Sequence, residues 1–409
     1  TREGRKTRGD LAMRNGSNPT KHVPRKGSVR RFRGCRCIGM RVLRWGALLG
    51  AALALLCALC IALDVPSWGY AGEEHPSTLK MTLPSGRSMS YYLHQDPSTA
   101  QHVFILLHGS PGVGLSWRYV LAQLPASLLE DPSLSFVMPT RGGYGTSAAA
   151  PANHTLLDVA RHELVPLVQH LRLPQSCTCY IVGQSGGGPH ALALAALWGR
   201  QQQEGVSPRL PPLGGVVSSA GATKLTIKKE DAHLLQDMRE NRVGFAACYL
   251  ALHHPFLYKP FVWLFRQLVL AMNALLSPST CFGLLKTSIS PQDLELLGTL
   301  KTPEGLPPLK ETFPYVMGPL ALGSSVAGFS NDFWRFTHDW GFSFEDLAFL
   351  GNRVFVWQGD RDKNVPESHG RALAKNLPQA QYKLVPGGTH FLPYQHLEEM
   401  LTQLMEGAK

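Results

Sequence analysis

Short apolar runs recur along the chain, and each ends in a glycine-rich or polar loop. His102–Leu107, Leu134–Met138 and Cys179–Val182 are continuous apolar segments, and Gly215–Ser218, Val354–Trp357 and Gln381–Val385 complete the series. Unbroken runs of this length, rather than alternating ones, suit strands covered on both faces, as in a parallel sheet. Upstream, Leu79–Leu83 and Met89–Leu93 flank Pro84-Ser85-Gly86-Arg87, a turn signal, and read as a hairpin at the sheet edge. Between the runs lie helical stretches. Leu156–Leu171 is one, although Pro166 interrupts it, and His190–Trp198 is another, rich in Ala and Leu. Strands alternating with helices at this spacing predict an α/β architecture, with a mostly parallel sheet wrapped on both faces.

The alternation fails between residues 222 and 340. Phe245–Leu285 is apolar and helical in character, with a heavy aromatic load that includes Phe256, Tyr258, Phe261, Trp263 and Phe265. Lys259 and Arg266 interrupt it too soon for a membrane span. It reads as a helical cap inserted after the Val216 strand. Its apolar side chains pack on the main domain, and their surplus is also suited to lining an acyl-binding pocket or a membrane-facing entrance.

Charge changes the picture at the N-terminus. The 409 residues carry a net charge of +11, but residues 1–45 hold 14 Lys and Arg against Glu3 and Asp10, so the remaining 364 residues are close to neutral. Residues 1–45 are rich in Gly, Ser and Pro and lack apolar periodicity, which predicts a disordered basic tail. Without interleaved aromatics it is not read as a nucleic-acid-binding segment. Gly46–Leu63 follows, 18 residues without a charge. That length just crosses a bilayer. Seven Lys and Arg lie in residues 26–45 and one, Lys80, in residues 64–83. The asymmetry predicts a single-pass signal-anchor with the tail cytosolic and the body lumenal or extracellular. A cleaved signal peptide, leaving a secreted body, is the alternative. The expected organisation is a tail over 1–45, the anchor over 46–63, a linker over 64–77, core over 78–221, cap over 222–340 and core again over 341–409. Cys35 and Cys37 sit where S-palmitoylation occurs, and Asn153-His154-Thr155 is a glycosylation sequon. Cys177, Cys179, Cys248 and Cys281 show no paired C-x-x-C spacing, so no zinc site is indicated. A lumenal body permits a disulfide such as Cys248–Cys281, with connectivity open.

The chemistry gathers in the loops that end the apolar runs. Gly183-Gln-Ser-Gly-Gly187 breaks a strand into a helix, placing the Ser185 hydroxyl on a sharp turn, and Pro189 falls in the first helical turn. A serine hydroxyl needs a base to take its proton and a third group to orient that base. His390, in Pro386-Gly-Gly-Thr-His390, is the base candidate, since His190 lies on the nucleophile helix and His396 in the terminal one. Asp362 is favoured as the acid, with Asp360 as a turn residue, although two positions in one loop are not separable by spacing. The oxyanion formed on attack needs preorganised donors, for which the N–H groups of Gly186 and Ser110 are chosen. His108 is read as bracing the Ser110 loop.

At these residues the chain resembles the α/β-hydrolase superfamily, in its HGxPG-containing branch. His108–Gly112, the elbow Gly183–Ala193, Arg141–Ser147 ("RxGYGxS") and Gly359–Pro366 ("GDxDxxVP") carry the resemblance, in order, over roughly residues 78–405. It implies an α/β-hydrolase fold with an inserted helical cap and a Ser185–Asp362–His390 triad using neither metal nor organic cofactor. Thr140 stands where that branch usually has an acidic residue before the arginine. Proline iminopeptidases are similar in their HGGPG loop, but Ser110 replaces the middle glycine. The leading expectation is a membrane-anchored serine hydrolase acting on carboxylic esters, of lipid or acylglycerol type. A proline iminopeptidase-like aminopeptidase and a non-catalytic hydrolase-fold binding module are the alternatives. Oligomeric state is not legible.

Overall fold

The computed structural model describes residues 75–205, 210–284, 289–315, 318, 321–322 and 325–407. The basic tail, the 46–63 run and most of the expected linker lie outside the described residues. Eight strands form one sheet: β1 Leu79–Thr82, β2 Ser88–His94, β3 His102–Leu107, β4 Leu134–Pro139, β5 Thr178–Gln184, β6 Leu213–Ser219, β7 Val354–Gly359 and β8 Gln381–Val385. Their order is β1-β2-β4-β3-β5-β6-β7-β8. The hairpin β1–β2 runs antiparallel at one edge, and every pairing from β4 to β8 is parallel. All eight expected strands are present, the runs having marked them because β4, β5, β6 and β7 are sealed almost completely from solvent.

Helices cover the sheet. In chain order they are α1 Ser116–Leu121, α2 Ala126–Leu129, α3 Leu156–Val159, α4 Val165–His170 and α5 Gly187–Glu204, then α6 Ala232–Asp237, α7 Arg242–His253, α8 Pro255–Leu275, α9 Pro278–Leu284, α10 Pro291–Thr299, α11 Leu309–Tyr315 and α12 Ala327–Thr337, and finally α13 Glu367–Asn376 and α14 Pro393–Gly407. The stretch expected as one helix over Leu156–Leu171 is instead α3 and α4 joined by a π-helical turn, Ala160–Leu164. Pro166 cannot donate an N–H, so the helix loosens by one residue just before it.

The core is keyed by side chains that register across strands. Phe104 of β3 is paired with Phe136 of β4 and Tyr180 of β5, and the three rings stack at 5.4 and 4.8 Å between centroids. Trp357 of β7 donates its indole N–H to Gln403 of α14 at 3.0 Å, and Trp198 of α5 donates to the Pro211 carbonyl at 2.9 Å. Both of these indole N–H groups thus have an acceptor, as burial of a polar group requires.

Between β6 and β7 the described residues form helices and loops and no strand. Cys177, Cys179, Cys248 and Cys281 are buried and free, so the Cys248–Cys281 bridge that the sequence allowed is not formed. Cys281 instead directs its thiol at the Met272 carbonyl, 3.5 Å away. Among the described residues no helix is long and apolar enough to cross a membrane.

Candidate active site

Ser185 occupies the turn between β5 and α5 with φ = 54°, a left-handed conformation rarely adopted by side-chain-bearing residues. Its own N–H donates to the Ser219 carbonyl at 2.8 Å, and its carbonyl accepts from Gly188 at 2.9 Å, which holds the strained residue in place. The glycines on either side have no room for a side chain. A Cβ on Gly183 would meet the Gly187 carbonyl oxygen at 2.2 Å, and one on Gly187 would meet the Leu107 carbonyl oxygen at 2.3 Å. The spacing G-x-S-x-G is thus a statement about how closely strand, turn and helix backbones approach. Ser185 itself is partly exposed.

His390 and Asp362 meet across the ends of β8 and β7. The ring Nδ1 lies 2.9 Å from Asp362 Oδ2 and 3.1 Å from Oδ1. Asp362 is buried and held from behind: Oδ1 accepts from the N–H groups of Asn364 and Val365 at 2.8 and 2.9 Å, and Gln358 Nε2 donates to Oδ2 at 3.3 Å. Asp360 is exposed, and no hydrogen bond joins its carboxylate to His390. A carboxylate at Nδ1 keeps the proton there and leaves Nε2 with the lone pair. Burial is the largest influence on the imidazole and opposes its protonation, yet the charge and hydrogen bond of Asp362, with Asp293 beyond, outweigh it and raise the His390 pKa. Hydrogen bonds join His390 to Asp362, and none within 3.5 Å joins Ser185 Oγ to His390.

A second carboxylate reaches the His390 loop from α10, in the helical segment between β6 and β7. Thr389 donates its hydroxyl to Asp293 Oδ1, and Ser290, the N-cap of α10, donates to Asp293 Oδ2 at 2.6 Å. Asp293 is almost wholly buried.

The Ser110 loop lies over Ser185. A Cβ built on Gly109 would sit 3.3 Å from Ser185 Cβ, and one on Gly186 would collide with the Ser110 side chain at 2.2 Å. The two residues chosen from sequence as oxyanion donors are therefore neighbours. His108 bridges this loop to the next: its Nε2 accepts from the Arg141 N–H at 3.1 Å, and its Nδ1 donates to the Gly109 carbonyl at 2.7 Å. Burial, then the Arg141 guanidinium, push the His108 pKa well down, which suits a neutral ring with that tautomer.

Sequence reasoning missed the residue at the centre of this region. Asp332 projects from α12, between β6 and β7, into a fully buried cluster. Its Oδ2 accepts from Arg141 at 2.8 Å, from the Tyr144 hydroxyl at 2.9 Å and from the Ser110 hydroxyl; its Oδ1 lies 2.9 Å from His190 Nε2 and 3.4 Å from Arg335. Burial alone would raise the Asp332 pKa, but Arg141, His190 and Arg335 hold it well below the usual carboxylate range. The Arg141–Gly142 turn is held from the other side by Glu163, which accepts from the Gly142 N–H at 3.0 Å and pairs with Arg87 at 2.8 Å. Thr140, the residue out of pattern in the sequence, accepts from the Gly114 N–H at 2.9 Å. The carboxylate that Arg141 lacks next door arrives from 191 positions along the chain. An arginine and a tyrosine in a turn without a local acid were the signal, but nothing in sequence pointed to Asp332 as their partner. Among the described residues no group of three or more metal-binding side chains converges.

A model of the Alpha/beta hydrolase family matches residues 104–403. Among solved structures, the chain is similar to a hydrolase from Pseudomonas aeruginosa PA01 at 17% identity and a TM-score of 0.51, covering 82% of this chain and 99% of that one. It is similar also to a bromoperoxidase from Bacillus anthracis at 17% identity and a TM-score of 0.50, with 81% and 99% covered. At these identities the likeness concerns the fold. No match was found among curated proteins.

Proposed function

Since the chain belongs to the alpha/beta hydrolase family, we propose that it is a serine hydrolase that cleaves carboxylic esters through Ser185, His390 and Asp362. The supporting observation is a serine held at φ = 54° at the end of β5, with a carboxylate-bound imidazole at the ends of β7 and β8 of the same sheet. Strain of that kind persists in folded proteins chiefly where function uses it.

In this reading His390 Nε2 removes the Ser185 proton as Oγ attacks the ester carbonyl, forming a C–O bond while the carbonyl electrons move to oxygen. The N–H groups of Ser110 and Gly186 receive that oxyanion. Collapse expels the alkoxide, which takes the proton from His390, and leaves an acyl-serine. Water, deprotonated by the same imidazole, then releases the acid. Asp362 keeps the ring in the tautomer that both steps need. No group beyond the chain's own residues is required.

Lipid or acylglycerol esters are the proposed substrate class, supported by the aromatic, apolar helices α7 and α8 of the proposed cap over 222–340. The proposed organisation keeps the tail over 1–45, the membrane anchor over 46–63 and the linker over 64–77, with core segments over 78–221 and 341–409 and the body lumenal or extracellular. Asn153 of the sequon is exposed, which glycosylation of a lumenal body requires.

The test is labelling by a fluorophosphonate probe followed by turnover of a series of acyl-chain esters. Labelling of the wild type and not of Ser185→Ala, with ester turnover, is expected. Equal labelling of both proteins defeats the proposal. Release of N-terminal proline with no ester turnover transfers it to the aminopeptidase reading, and a folded protein that does neither is a binding module.

A further inference from the structure

We propose that the outer face of α8 is a bilayer-docking surface, by which the cap lies in the headgroup region of a phospholipid membrane. The proposal rests on the membrane-anchored reading above and adds the second point of contact. α8 is a 21-residue helix that combines buried packing residues with exposed large apolar ones. Inward, Tyr258, Val262, Ala271 and Ala274 are buried. Tyr258 donates to the Ser330 carbonyl of α12, and Phe265 stacks on Phe329 at 5.3 Å. Outward, Phe256, Leu257, Trp263, Leu264, Leu268 and Leu275 are exposed, Phe256 by 73% and Trp263 by 53%. Leu257, Leu264, Leu268 and Leu275 are spaced by 7, 4 and 7 residues, so they share one stripe. Lys259 is the one charged residue exposed on this helix.

Six large apolar side chains exposed on one helix, four of them on one stripe, exceed what a lone soluble domain ordinarily shows to water. Three observations choose the bilayer as its occupant. From Arg242 to Leu284 the sequence contains no Asp or Glu, while Arg242, Lys259 and Arg266 are present, so nothing on α7, α8 or α9 is repelled by lipid phosphates. The exposed set includes Phe256 and Trp263 beside Lys259, the mixture of rings and lysine that settles at the membrane–water interface. On the membrane-anchored reading the chain also supplies the membrane, since Gly46–Leu63 is long enough to span it and only eleven residues, Asp64 to Glu74, separate that run from the described body. α8 contains Pro260 and is interrupted by Lys259 and Arg266, and an amphipathic helix lies in the interface rather than across it. Docking there has a structural route to the site, since α8 packs on α12 and α12 carries Asp332 to the Ser110 loop.

The experiment uses the full chain reconstituted in phosphatidylcholine vesicles, with tryptophan emission as the readout. Subtracting the emission of Trp263→Phe isolates Trp263 and cancels Trp45 and Trp68 beside the anchor. In vesicles containing lipid brominated near the headgroup, the Trp263 emission is expected to fall to less than about half its value in unbrominated lipid, as for a ring at the interface. Undiminished emission that aqueous acrylamide quenches overturns the proposal. Emission shielded from both quenchers also overturns it, and assigns the face to residues 46–63 or, where sedimentation shows a dimer, to a second copy. In a second measurement, the double variant Trp263→Asp/Leu264→Asp is expected to lose turnover of a vesicle-borne ester by about tenfold while keeping turnover of a short water-soluble ester. Equal turnover of the vesicle-borne ester by both proteins argues against docking. Absence of turnover of the soluble ester by the wild type instead removes the esterase reading and leaves the quenching result standing.

Discussion

Two buried Asp–His pairs lie in this fold, and the same 2.9 Å contact gives them opposite tendencies. In one, His390 meets Asp362 at the ends of β8 and β7; in the other, His190 on α5 meets Asp332 of α12. Burial is the largest influence on each imidazole and disfavours its charge. At His390 the opposing charges are both carboxylates, Asp362 and, behind Thr389, Asp293, and the pKa ends above the ordinary value. At His190 the Arg141 and Arg335 guanidiniums share the carboxylate, and the pKa falls to about 4. A hydrogen-bonded acid beside a histidine therefore does not by itself make a base. The charges around the acid decide whether the ring can hold a proton when chemistry delivers one.

The comparison breaks most visibly by removing each ring in turn. His390→Asn is expected to lower kcat/KM for a short ester by about ten-thousandfold with little change in unfolding by urea, because the lost group acts on the proton in the transition state. His190→Asn is expected to do the reverse, costing about 1–3 kcal/mol of stability through a disturbed buried hydrogen bond while most of the turnover survives. Equal losses of turnover in the two variants would end the distinction between a working pair and a structural one.

Asp332→Asn comes next in size. It leaves Arg141 and Arg335 buried against a neutral amide, and a broken buried ion pair costs roughly 3–5 kcal/mol. A loss of that order in the unfolding free energy from urea denaturation is expected, together with a lower kcat, since Ser110 loses the carboxylate that holds it against Gly186. Unchanged kcat in the folded variant would mean that the cap does not position the loop over Ser185.

The two pairs also differ in how far the sequence disclosed them. The strands were legible because sealing both faces of a parallel sheet demands continuous apolar runs, and Val354–Trp357 or Cys179–Val182 meet that demand without reference to anything distant. Ser185 and His390 were legible for a related reason: a turn between closely packed backbones needs glycines at fixed offsets. Asp362 was favoured over Asp360, but spacing alone could not separate them, because the choice rests on which carboxylate receives the Asn364 and Val365 N–H groups in the folded loop. The Asp332 cluster was not legible at all. Its members come from four separated segments, and Ser110, Arg141, His190 and Asp332 acquire a common environment only once α12 packs against the ends of the strands. Asp293 is hidden in the same way, joined to Thr389 across 96 positions. Local backbone geometry leaves local marks, whereas pairing between cap and core leaves none. The tail, the linker up to Glu74 and the 46–63 run fall outside the described residues.

The finest difference between the pairs is the second carboxylate behind His390, and its effect is a displacement along the pH axis. A base works when neutral, so kcat/KM is expected to rise with pH through an apparent pKa above the ordinary imidazole value of 6.5. Replacing Asp293 by Asn removes a negative charge that favours the imidazolium, so the rising limb is expected to move toward acid. The linked stability moves with it. A folded-state pKa raised above the unfolded one contributes stability that is complete below the unfolded value and is lost as pH climbs through the folded one, so Asp293→Asn gives up part of that contribution at low pH. Thr389→Val separates charge from position: it deletes the hydrogen bond to Asp293 and keeps the carboxylate, so kcat is expected to fall while the limb stays nearer its place. Should the limb stay fixed in Asp293→Asn and move in Thr389→Val, the cap would be acting on His390 through geometry alone, and the contrast drawn with His190 would rest on the two arginines rather than on the added carboxylate.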